Sequence, residues 1–138
     1  MNNDQIRLSI LSQYYRAKFN GKGYGEREEN PELKNIPRET INANMEYLVD
    51  KGLINGKKTY VSGGIMVSPT DITARGMDVV ENILKQSLEK LDQNVISEIK
   101  KESSTNKKLD KLSEISSKAE PVLEIVVKIA GMIFSNLR

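Results

Sequence analysis

The side chains from which most proton shuttles and metal centres are built are missing from this chain. It has no histidine and no cysteine among its 138 residues. Histidine is the usual general base at neutral pH and the commonest metal ligand, so its absence removes most hydrolase and metalloenzyme mechanisms. Without cysteine there is no disulfide framework and no thiolate metal site. Carboxylates, lysines, tyrosines and hydroxyls remain, and no spacing pairs them into a nucleophile with its base. The carboxylates are dense only from Glu26 to Glu32, which reads as a solvated acidic loop. The glycines of Asn20 to Gly25 (NGKGYG) are of the kind found in phosphate-binding loops. No Gly-Lys-Ser/Thr follows them and no strand precedes them, so the segment reads as a flexible connection. The chain is therefore expected not to be an enzyme and to hold no catalytic residue, metal or cofactor.

The remaining chemistry is recognition, and it depends on which element presents the polar side chains. Ile36 to Ile54 (IPRETINANMEYLVDKGLI) places Ile41, Met45 and Leu48 on one helical face. Pro37 suits the first turn, and Gly52 can take the left-handed conformation that ends a helix while Leu53 folds back on it. Lys51 sits by the negative end of the helix dipole. Two β-like runs follow, Lys58 to Val61 and Ile65 to Ser68, around a Ser62-Gly63-Gly64 turn. Ile72-Thr73-Ala74-Arg75-Gly76 then offers Thr73 as the N-cap of a further helix.

Thr40-Ile41, Leu48, Lys51-Gly52-Leu53-Ile54 and the Ile-Thr-x-x-Gly start of the last helix, in this order, resemble a winged helix-turn-helix domain. They are similar to small bacterial and archaeal regulators of the MarR and PadR kind, and to YjcQ-type phage-related proteins. The resemblance covers roughly Asp4 to Asn94. It implies a mainly α fold with a small β-hairpin wing, and a DNA-binding transcriptional regulator acting as a homodimer. On that fold Arg38 could reach guanine O6/N7 and Asn42 could pair with adenine, with Thr40 beside them. Lys57, Lys58 and Tyr60 of the wing could lie along the DNA backbone. The rival function is a winged-helix module that binds a protein partner and not DNA, with its apolar C-terminal helix available to hold it at a partner or membrane surface. It is favoured by Ala43 and Glu46, which stand where DNA readers of this family commonly hold Arg or Lys, and by Asp50 as a second acidic residue on the same outward face. One departure from the family is a second helix of only a turn or two, around Pro31 to Asn35.

The charge balance speaks in the same direction as that rival. The formal net charge is +2, with 11 basic and 11 acidic residues up to Asn82 and 10 and 8 after it. DNA affinity rests largely on neutralising phosphates, and a neutral domain is poorly equipped for it. A chain of this length suits one compact domain with an appendage. We place a winged helix-turn-helix domain at residues 1–94 and a helical dimerisation extension at 95–138. The first residues contain no apolar run of signal-peptide length, so a cytoplasmic location is expected.

Helices flank this core. Asp4 is expected to cap a first helix running to about Phe19, with Ile6, Ile10, Leu11 and Tyr14 on its apolar side. From Met77, the residues Val80, Leu84, Leu88, Leu91, Val95 and Ile99 recur at spacings of 3-4-4-3-4-4. This 11-residue period keeps the stripe on one side of a nearly straight helix. A helix from Ala74 to about Lys101 would be roughly 40 Å long, more than a small domain can cover, so Leu88 to Ile99 should meet a partner helix, either another chain's or the C-terminal segment. Glu102 to Lys108 reads as a hinge, Leu109 to Ala119 as a weak amphipathic helix, and Pro121 as a helix start or a kink. Val122 to Leu137 is the most apolar stretch, with Glu124 and Lys128 its only charges. It is too short to span a bilayer and lacks the basic face of a membrane-surface helix. Leu84, Leu88, Leu91, Val95, Ile99, Val126, Ile129 and Ile133 are the expected dimer interface.

Overall fold

The punctuation around Ile36 to Ile54 is obeyed closely. In the computed structural model, which describes residues 1–19 and 30–137, helix α2 spans Arg38–Asp50 behind Pro37 and buries Ile41, Met45 and Leu48. It ends in a Schellman motif. Gly52 has φ +72°, its N–H donates to Val49 O at 3.0 Å, and the Leu53 N–H donates to Leu48 O at 2.9 Å. No atom lies within 4 Å of where a Cβ on Gly52 would stand, so backbone conformation, not crowding, asks for glycine there. Leu53 is fully buried beneath the turn.

Strands β1 (Ile54–Val61) and β2 (Gly64–Ile72) pair antiparallel, with Tyr60 opposite Ile65, Lys58 opposite Val67 and Gly56 opposite Pro69. Helix α3 (Ala74–Lys90) begins at Thr73, whose Oγ1 accepts the Gly76 N–H at 2.9 Å. The same hydroxyl donates to Gly52 O at 2.6 Å and the Thr73 N–H donates to Leu53 O at 3.0 Å, which ties the start of α3 to the end of α2. A Cβ on Gly76 would stand 2.1 Å from Leu53 O. The Ile-Thr-x-x-Gly pattern is thus a close backbone crossing with its own cap.

Of three expectations, that of a short second helix is met and the other two are corrected. Helix α1 (Asn3–Phe19) is capped by Asn2, whose Oδ1 accepts the Gln5 N–H at 2.8 Å. Asp4 lies in its first turn and pairs with Arg7 at 3.7 Å instead. The second helix is a single 3-10 turn, Pro31–Leu33, capped by Asn30 and pinned by buried Leu33. The helix from Ala74 to Lys101 is broken: α3 stops at Lys90, Leu91 is extended, and Asp92 caps a new helix α4 (Gln93–Lys100) by accepting the Asn94 N–H at 2.8 Å. The break turns α4 so that Ile96 and Ile99 are buried in the core rather than carried past it. The glycine-rich segment Asn20 to Gly25 and most of the acidic run, up to residue 29, lie outside the described residues.

Helix α5 (Thr105–Lys118) is capped by Ser104, and α6 (Glu120–Ser135) starts rather than kinks at Pro121, after an extended Ala119. Helix α6 packs on α1, α3 and α5. It buries Val122, Val126, Ile129, Ala130 and Phe134. At its far end the Tyr47 hydroxyl of α2 donates to Phe134 O at 3.0 Å. One apolar cluster therefore runs from Ile6 to Phe134 through the proposed boundary at residue 94. The expected dimer interface lies within it. Leu84, Leu91, Ile99, Val126 and Ile129 are buried, and Leu88, Val95 and Ile133 are half-buried against the same cluster. The stripe that was too long for a straight helix is covered because the helix folds and α5–α6 return over it. Among the described residues no helix is long and apolar enough to cross a membrane.

Candidate nucleic-acid interface

Helix α2 and the hairpin share one exposed surface because a side chain locks them together. The Asn42 amide donates to Ile65 O and accepts the Val67 N–H at 3.2 Å. Ile65 and Val67 are two residues apart on β2, so their backbone groups point to the same side. The amide satisfies that edge as a third strand would. Pro69, the next residue of this parity, has no N–H to satisfy. Residues directly opposite in an antiparallel pair share their hydrogen-bonding state. Lys58 and Tyr60 therefore turn their backbone groups outward on the far edge, along β1.

This corrects the assignment of Asn42 as a base reader, since both ends of its amide are occupied within the fold. Lys58 is also engaged. Its Nζ stands 2.8 Å from Asp50 Oδ1, and that hydrogen bond holds the ammonium pKa above the usual lysine value. Arg38 and Lys57 are exposed and take part in no ion pair among the described residues. Thr40 is half-buried, with its carbonyl accepting the Asn44 side-chain amide at 2.9 Å. Tyr60 is 78% exposed at the hairpin tip, with Val61 and Met66 also exposed beside it. On the outward side of α2, Glu39 and Ala43 are exposed and Glu46 is half-buried. The site thus brings Arg38, Lys57 and Tyr60 to solvent on a surface that carries as many carboxylates as cations.

Behind α2 lies a polar cluster that residue spacing did not single out. Asn44 is buried, accepts from Arg7 Nε at 2.9 Å and donates to Asn3 Oδ1 at 3.2 Å. The Arg7 guanidinium lies 3.6 Å from the centre of the Tyr47 ring. These contacts orient α2 on α1. A buried asparagine on an otherwise apolar helix face was the signal available, since such an amide must find partners. Comparison with protein-family models, with curated proteins and with solved structures returns no match to this chain.

Proposed function

We propose that this chain is a winged-helix DNA-binding protein, with the first turn of α2 in the major groove and the hairpin along the adjacent backbone. The observation that carries this reading is the Asn42 clamp, which holds the hairpin beside α2 as one rigid surface. Pre-ordering of this kind removes part of the entropic cost of binding. Arg38 is the base-reading candidate, and Lys57 with Tyr60 are the backbone contacts. Lys58 contributes only by giving up Asp50. The surface is short of cations, so affinity for random DNA is expected to be poor at physiological salt. A homodimer, as the resemblance implies, would need a surface other than the apolar stripe, whose burial within one chain removes the reason to seek a partner there.

Fluorescence anisotropy with a selected DNA pool, at low and moderate salt, tests the proposal. Arg38→Ala is expected to cost about 1–3 kcal/mol and relax sequence preference. Lys57→Ala is expected to weaken all sequences alike and lower the salt slope by about 1. If no pool member binds at low salt, the DNA reading fails. The second reading then stands on a different observation, the exposed Tyr60, Val61 and Met66 at the tip beside an open β1 edge, which suits a protein partner.

A further inference from the structure

We propose that the cavity between α1, the 3-10 turn, α5 and α6 binds a small amphiphilic primary amine. The cavity measures about 260 Å³, near the lower end of ligand sites, and suits roughly a dozen heavy atoms. Its floor is apolar, formed by Ile83, Leu112 and Val126. Its polar side is centred on Glu32, which is exposed at the mouth of the cavity. The Glu32 carboxylate accepts the Ser9 hydroxyl at 2.6 Å and the Ser113 hydroxyl at 3.4 Å, so it is held from two helices at once. Among the described residues no cation pairs with it. Met1, which carries the amino terminus, and Arg16 also line the cavity; Arg16 is engaged by Asp110 at 3.3 Å, and the terminal ammonium forms no ion pair with Glu32.

The arrangement sets the ligand chemistry. An apolar floor favours a hydrocarbon body through its removal from water. A carboxylate held by hydroxyl donors and without a counter-ion among the described residues favours an ammonium head, and a charge-assisted hydrogen bond is roughly twice as strong as a neutral one. A carboxylate head would face Glu32 and would have to compete with Asp110 for Arg16. The proposal does not rest on the DNA reading, and its test contains no DNA.

The probes are 4-phenylbutylamine, 4-phenylbutanol and 4-phenylbutanoate, which share a body and differ in head charge. Isothermal titration of the full chain at neutral pH is expected to rank them amine, alcohol, acid, with the amine roughly tenfold tighter than the alcohol. Glu32→Gln is expected to bring the amine down to the alcohol's affinity and leave the alcohol within about twofold. Ser12→Phe, which projects a ring from a wall residue into the cavity, is expected to abolish binding of both. Circular dichroism of each variant confirms that it is folded. The amine-to-alcohol ratio in the unaltered chain is a test that needs no variant. Absence of binding by any probe, equal binding of amine and alcohol, tightest binding of the acid, or an amine preference that survives in folded Glu32→Gln would each overturn the proposal.

Discussion

Replacing Asn42 separates two roles that the sequence alone leaves equivalent. If its amide clamps β2, Asn42→Ala removes two hydrogen bonds, the one given to Ile65 O and the 3.2 Å one accepted from Val67. At about 0.5–1.5 kcal/mol each, the loss is on the order of 1–3 kcal/mol. Val67 is buried, so its freed N–H finds water only by opening the edge, which favours the upper part of that range. Asn42→Asp keeps the acceptor for Val67 but sets a carboxylate against the Ile65 carbonyl, and it is expected to cost at least as much. Urea unfolding reads the global change. Hydrogen exchange reads the local one, with the Val67 amide exchanging roughly five- to a hundredfold faster in Asn42→Ala. Unchanged Val67 protection and unchanged stability, combined with loss of DNA affinity, would refute the clamp and return Asn42 to base reading.

Two further outcomes follow from the packing. Removing residues 102–138 strips Val122, Val126, Ile129 and Phe134 from the core, roughly 6–12 kcal/mol at ~1.5–3 each, against a typical total stability of about 5–15 kcal/mol. The truncated chain is expected to lose cooperative thermal unfolding, and a sharp transition near that of the full chain would show that α5 and α6 are dispensable. Burial, then the 2.8 Å hydrogen bond to Glu81, push the Tyr15 phenol pKa above its ordinary value of 10.0. The folded state therefore resists deprotonation. This contribution to stability is fully present below pH 10 and is lost as pH rises beyond it. The difference between ultraviolet titrations of the unaltered and Tyr15→Phe chains should place the Tyr15 transition above the ordinary tyrosine value of 10.0, and the Tyr15→Phe chain should lose less stability in strong alkali; a Tyr15 transition at that ordinary value would contradict this.

What was legible in the residues is what local chemistry decides. Gly52, Thr73 and the Ile41–Met45–Leu48 spacing each act within a few residues, through a left-handed backbone, a hydroxyl cap and one helical face. The boundaries of α2, the position of the hairpin turn and the start of α3 accordingly came out as expected, whereas the strands run over Ile54–Val61 and Gly64–Ile72, beyond the Lys58 to Val61 and Ile65 to Ser68 runs that local composition marks. Gly76 was legible as part of a pattern, but the reason for it, an approach to Leu53 O, belongs to two elements brought together. Asp92 shows the limit of periodicity. A 3-4-4 apolar rhythm continues through Leu91 and Val95 whether or not the helix does, because a turn of the right length keeps both segments facing one core.

The amino-acid sequence by itself determined the mainly helical chain with one hairpin, through caps, turn glycines and apolar spacing. It also determined the balanced charge of the chain up to Asn82 and the lack of imidazole and thiol chemistry, since these are matters of composition. Tertiary structure alone decided what covers the apolar stripe, because the side chains that meet Leu84 and Ile99 come from segments far along the chain. It alone decided that Asn42 faces β2 rather than solvent. A helix position specifies an angle around an axis, and only the packing of a second element decides whether that angle points into water or into a neighbour.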